Sequence, residues 1–168
     1  MRMIATLGIA LTVSVPALAD LSVRFDEGAP KDRFTISASG GCDISGPMTV
    51  TIDLKPSPYG LIFDTTSSGA GVQVFQPFEI TDGRGNLSAL PEVKDGDNRI
   101  DLDVKGLRTF EKISFTIDVD DTVQNREITV SNGEITGAKV VALRDGMRSE
   151  AAFGPDAVAT LKMTDCVS

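Results

Sequence analysis

Period-two alternation of apolar and polar residues runs through most of the chain, and β-branched and aromatic residues fill the apolar positions. Leu21, Val23 and Phe25 alternate, followed by Phe34 and Ile36. Met48, Val50, Ile52 and Leu54 form a longer run, and Leu61-Ile62-Phe63 is short and continuous, the pattern of a strand buried on both faces. Val72, Val74 and Phe78 follow, with Phe75 on the opposite face, then Ile100, Leu102 and Val104. Ile113, Phe115, Ile117 and Val119 make the strongest run. Ile128 with Val130, Val140 with Ala142, and Leu161 with Met163 complete the series.

Turn-forming residues separate these runs: Gly28-Ala29-Pro30, Gly40-Gly41, Pro56-Ser57-Pro58, Ser68-Gly69-Ala70-Gly71, Asp82-Gly83, Asp95-Gly96-Asp97, Asn132-Gly133 and Asp145-Gly146. About nine strands at this spacing, with no helical period after residue 19, predict one all-β domain over residues 20–168. The expected architecture is an antiparallel β-sandwich of immunoglobulin-like or jelly-roll type. Asn132-Gly133, between Ile128/Val130 and Ile135, is the best candidate for a tight hairpin, because that dipeptide suits a type I′ turn.

Residues 1–19 break the pattern. Arg2 precedes an apolar stretch to Val15, and Ala17-Leu18-Ala19 then supplies an A-x-A exit. That is the layout of a cleaved signal peptide, and the apolar run falls short of the roughly 20 residues that span a bilayer. A buried first helix or an uncleaved anchor is the competing reading. Export predicts a secreted or periplasmic protein of the Gram-negative type, with no transmembrane segment in the mature chain.

Charge and cysteine content then narrow the partners. The chain carries 24 acidic and 16 basic residues, and the signal peptide contains one of the basic ones. An acidic balance argues against nucleic acid, whose phosphates need clustered Lys and Arg, and suits cations or basic partners. The two cysteines, Cys42 and Cys166, are an even count in an exported chain and predict one disulfide closing the domain. Closing so long a loop contributes about 4–5 kcal/mol in the chain-entropy picture.

Much chemistry is excluded outright. With no His in the chain, a Ser-His-Asp triad, a Cys-His dyad and a His-based metal site are impossible. No glycine-rich phosphate loop leads into a helix. A carboxylate-using hydrolase with Asp118 and Asp120, or Asp64, as acid and base survives formally. The chain has no Trp and one Tyr, Tyr59, few aromatic rings for a sugar cleft. The expectation is therefore a non-enzymatic protein.

The most informative pattern is a pair of acidic strands, residues 99–104 and 113–122. If Ile100, Leu102 and Val104 face the core, Asp101 and Asp103 face outward, and the same logic turns Asp118 and Asp120 outward. A hairpin of the two runs would place all four carboxylates on one sheet face. Like charges on neighbouring strands destabilise unless neutralised, and Ca²⁺ neutralises them with carboxylate and carbonyl oxygens. Asp118, Asp120 and Asp121 at a strand end could wrap such an ion, with Asp64 or Asp97 in support. The alternative is a solvated face on which Arg99, Lys105, Lys112 and Arg126 pair weakly with these acids. A second candidate is the loop Thr65, Thr66, Ser67, Ser68, Gly69, Ala70 and Gly71, small and polar between two apolar runs. It reads either as a flexible hairpin connection or as a binding loop for a protein or polysaccharide partner.

Several segments together resemble a known family: Asp32-Arg33-Phe34, GLIFDTTSSGAGVQVFQPFE (60–79), Asp95-Gly96-Asp97, FTIDVDDT (115–122) and REITVSNGEITGAKV (126–140). They are similar to small secreted bacterial proteins labelled aggregation factor core, after the core protein of sponge cell-aggregation factors. That resemblance implies a β-rich extracellular module for adhesion or assembly, with calcium dependence at the level of the complex. It supplies no residue-level site. A periplasmic inhibitor or accessory protein that binds another protein through an end loop is the alternative expectation.

Overall fold

A computed structural model describes residues 19–29, 31–69, 71, 74–123 and 129–163. They form ten strands: β1 (Ala19–Asp26), β2 (Asp32–Ser39), β3 (Ile44–Asp53), β4 (Ile62–Asp64), β5 (Glu79–Asp82), β6 (Arg99–Leu107), β7 (Lys112–Asp120), β8 (Lys139–Arg144), β9 (Met147–Ala152) and β10 (Val158–Met163). Arg84–Asn86 adds a single 3-10 turn. The all-β expectation holds. No helix among the described residues is long and apolar enough to cross a membrane.

The strands make two antiparallel sheets. One runs β10-β1-β2-β7-β4, with β5 also on β7, and the other runs β6-β3-β8-β9. The sheets curl into a half-barrel, and their inward faces form one core. Leu21, Val23 and Phe25 on β1 alternate with more exposed neighbours, as do Ile100, Leu102 and Val104 on β6. Phe34 sits at the centre, stacked on Phe115 at 5.3 Å between ring centroids and 5.1 Å from Phe25. Phe63 and Phe153 meet its edge.

Three expectations are corrected here. β6 and β7 do not form a hairpin: β6 pairs with β3 in one sheet, and β7 pairs with β2, β4 and β5 in the other. Asn132-Gly133 makes no hairpin turn either, because residues 132–137 form successive turns, with Glu134 N–H donating to the Ser131 carbonyl and Thr136 N–H to that of Gly133. The two-residue hairpin is Asp145-Gly146, which joins β8 to β9 with φ of 49° and 78°, both positive as a type I′ turn requires. Lastly, Val74, Phe75 and Phe78 lie outside the strands, and Val130 is buried in irregular chain. Val72 and Ile128 fall outside the described residues.

Candidate functional site

β7 is unlike the other strands because eight of its nine residues, Ile113–Asp120, are buried. One edge of β7 is taken by β2. The other edge is shared: β5 pairs near Phe115, and β4 pairs further along at Ile62↔Asp120, Phe63↔Val119 and Asp64↔Asp118. Gln76 bridges the gap between them, its N–H donating to the Asp64 carbonyl and its carbonyl accepting from Asp118 N–H. β4 and β5 thus act as one interrupted strand along β7. The chain loops out after Asp64 and returns at Gln76.

This excursion contains the predicted loop, and it lies beside the predicted acids. Thr66, Ser67, Ser68 and Gly69 are exposed. The loop is held from within, since Asp95 Oδ1 accepts from Thr65 N–H at 2.8 Å and from Thr66 N–H at 3.0 Å. Gly69 packs against the same carboxylate so closely that a Cβ there would overlap it. A Cβ on Gly71 would overlap Oδ2 of both Asp120 and Asp64. Glycine at 71 is what lets the backbone approach the carboxylates. Ala70 lies outside the described residues.

Asp118 and Asp120 do not face solvent, contrary to the alternation argument, and are 3% and 1% exposed. Alternation correctly puts them opposite Ile117 and Val119, but that face is enclosed, with the backbone at Gly71 close against Asp120. Asp64, two residues along β4 from Ile62, is fully buried beside them. Asp121 and Asp32 are buried as well. Asp32 is well satisfied: its Oδ1 accepts from Gly28 N–H and its Oδ2 from Val119 N–H. Both oxygens of Asp64, and Oδ2 of Asp118, have no hydrogen-bond donor.

The electrostatics follow from that crowding. Burial, then the Asp95 and Asp120 carboxyls, push Asp64 up to about 7. Burial, then the charges of Asp120, Asp32 and Asp64, push Asp118 up to about 8. Asp32 is raised to about 7, chiefly by burial and against its two backbone donors. The charges acting most strongly on Asp64 and Asp118 are therefore other carboxylates. Among the described residues, no group of three or more Asp, Glu, His or Cys side chains is placed to hold a metal ion.

Asp101 and Asp103 are elsewhere. They stand exposed on β6, opposite Thr51 and Thr49 of β3, whose hydroxyls donate to them. Burial raises the Asp101 carboxyl, but the hydrogen bonds from Arg99 and Thr51 outweigh it and hold the group below its usual range. These two acids belong to the solvated face that the alternative reading described. The Asp97 side chain caps its own turn by accepting from Lys94 N–H, while its backbone carbonyl accepts from Phe63 N–H beside Asp64. Two described cavities, lined by Pro47, Ser88 and Leu143 and by Glu92, Asn98 and Arg99, also lie away from the buried cluster.

Reasoning from the sequence missed Asp32 and Asp95 as parts of the site. Asp95-Gly96 reads as a turn and Asp32 as a strand entry, and only long-range contacts bring them to β7. Compared with known families, curated proteins and solved structures, the chain matches none.

Proposed function

We propose that this chain is an exported, non-enzymatic binding or adhesion module that acts in a calcium-dependent extracellular or envelope assembly and presents the 65–71 loop to its partner. The observation that carries this reading is the loop itself. Thr66–Gly69 are small and exposed, and the loop is pinned at its base by Asp95 and Gln76 beside the buried strand β7. Recognition surfaces are commonly loops fixed to a stiff scaffold in this way. The sandwich expectation is consistent with two curled antiparallel sheets sharing one core. The resemblance to aggregation factor core proteins points the same way.

Closure by a Cys42–Cys166 disulfide is part of this proposal. Met163, at the end of β10, pairs with Ala19, and Asp20 next to it pairs with Ser39. Two residues lie between each of these strand ends and its cysteine, and both strands end at the same end of the sheet. No described cysteine is free, and Cys166 lies outside the described residues. Residues 1–18 do so too. Ala19, the last residue of the proposed signal peptide, opens β1.

Burial of Asp64, Asp118 and Asp120 beneath the loop supports a binding role over a hydrolytic one, because a substrate needs access to the acid and base. The test is retention of the oxidised mature protein on envelope surfaces and polysaccharides, with calcium or with EDTA. Calcium-dependent retention lost on Ser67→Glu/Ser68→Glu is expected. Retention indifferent to that change, or absent throughout, would overturn the reading. Stoichiometric capture of one envelope protein through the same loop would favour the inhibitor or accessory role.

A further inference from the structure

Asp64 stands between the buried acids of β7 and the base of the 65–71 loop. It pairs across the ladder with Asp118, and Asp120 shares the face of Asp118 because the two are two residues apart on β7. Asp120 and Asp95, the latter from the turn before β6, are the side-chain hydrogen-bonding neighbours of Asp64. One Cβ at Gly71 would overlap Oδ2 of Asp64 and of Asp120 together, so those oxygens lie side by side. Asp32 on β2 and Asp121 just past β7 are buried as well, and the charge of Asp32 acts on Asp118. Asp95 is also what holds the loop, since its Oδ1 accepts from the N–H groups of Thr65 and Thr66.

What Asp64 lacks is a donor. It is fully buried and neither of its oxygens receives a hydrogen bond. Ionised carboxylates only accept, so two of them in contact out of water repel with nothing to offset the charge. Among the described residues these acids are not placed to share a metal ion. A proton on Asp64 removes one charge and turns the group into a donor at the same time. Carboxyl pairs in contact hold one proton for this reason. Burial first, and then the Asp95 and Asp120 carboxyls, accordingly raise Asp64 to about 7.

We propose that Asp64 and Asp95 form a proton latch for the loop: protonated Asp64 donates its O–H to Asp95, which keeps Thr65 and Thr66 in place, and loss of that proton sets two carboxylates against each other and frees the loop. The sign follows from linkage. A carboxyl that holds its proton more tightly in the latched state stabilises that state at low pH, and the contribution is lost as pH rises through the raised value. The latch is therefore closed in mildly acid medium and opens as the medium passes neutrality. This deepens the reading above, in which the loop meets the partner, by making presentation of the loop depend on pH.

The test uses the oxidised mature chain alone, in EDTA, so that it needs no partner. Hydrogen exchange at the Thr65 and Thr66 amides is expressed as protection relative to the intrinsic rate at each pH. That protection should be at least about tenfold greater at about pH 5.5 than at about pH 8.5, beyond any change in the β1 amides. Asp64→Asn should abolish the response and keep the loop protected at both pH values, because its carboxamide N–H donates to Asp95 without titrating. Asp101→Asn, on the other sheet, should respond as the parent does. Carbon NMR of the parent's carboxyl groups is a second measurement that needs no variant, and Asp64 should titrate near neutrality. Equal loop protection at the two pH values, a response that survives in Asp64→Asn, or an Asp64 carboxyl that titrates at the usual value of about 4 would each overturn the proposal. A pH response in a chain that retains no partner would end the binding reading and leave the latch standing, and retention without the response would do the reverse.

Discussion

Asp64 on β4 and Asp118 on β7 are direct antiparallel partners, two carboxylates facing each other across a buried ladder with unsatisfied oxygens on both. Like charges so placed oppose sheet formation. In EDTA at about pH 8.5, above their raised pKa values, Asp64→Asn or Asp118→Asn should therefore stabilise the fold, by about 0.5–1 kcal/mol, the scale of cross-strand pair effects. That corresponds to a midpoint about 1–4 °C higher in a chain of this size. Melts of the parent and the variants at that pH check this, and destabilisation would contradict it.

The pH dependence of the metal-free protein has a definite sign. Asp32, Asp64 and Asp118 are raised to about 7, 7 and 8, mainly by burial. The unfolded chain releases these protons near the usual carboxylate value of about 4, so between that pH and about 8 the folded state holds more protons. Stability should fall as pH rises through that window and level off above it. Urea unfolding in EDTA at stepped pH measures this. Stability that stays level from about pH 5 to 8 would show that these groups ionise freely in the fold.

Gly71→Ala should be costly, because its Cβ would overlap the Asp64 and Asp120 carboxylates. Overpacking of this kind costs about 1–3 kcal/mol. Gly85→Ala is the control, since a Cβ there meets nothing within 4 Å. Equal midpoints for the two variants would mean that the loop does not press on the acids.

Asp95→Ala should release the loop without unfolding the domain. It removes the acceptor for Thr65 and Thr66 N–H, which are at the surface or partly so. Faster hydrogen exchange at those two amides, with core amides of β1 and β7 unchanged, is expected. Uniform acceleration across the chain would make Asp95 part of the global fold.

Phe34→Ala tests the core. Phe34 is fully buried and meets Phe25, Phe63, Phe115 and Phe153. Loss of about 3–5 kcal/mol is expected from lost burial and the cavity left behind, measured by denaturant unfolding.

Most strands were legible from local pattern. Leu21/Val23/Phe25, Met48/Val50/Ile52, Ile100/Leu102/Val104 and Ile113 to Val119 all lie on strands where alternation puts them, and Leu54 is buried just past the end of β3. β9 was not, because Met147–Ala152 is a mostly polar edge strand with little apolar face to announce it. β5, Glu79–Asp82, escaped for the same reason, being short and mostly exposed. The type I′ turn went to the wrong dipeptide: Asn132-Gly133 and Asp145-Gly146 have equal local merit, and only the latter has strands on both sides that pair.

The site shows the same division. Sequence alone determined that Asp118 and Asp120 share one face and Ile117 and Val119 the other, because side chains alternate along any strand. It could not determine that β6 and β7 enter different sheets, since strand pairing is settled by contacts far apart in the chain. Nor could it show that the backbone at Gly71 comes up against the polar face of β7. Alternation reports which residues point the same way, whereas burial depends on what packs there. Only the tertiary structure separated Asp101 and Asp103, left in water, from Asp118 and Asp120, enclosed with Asp64.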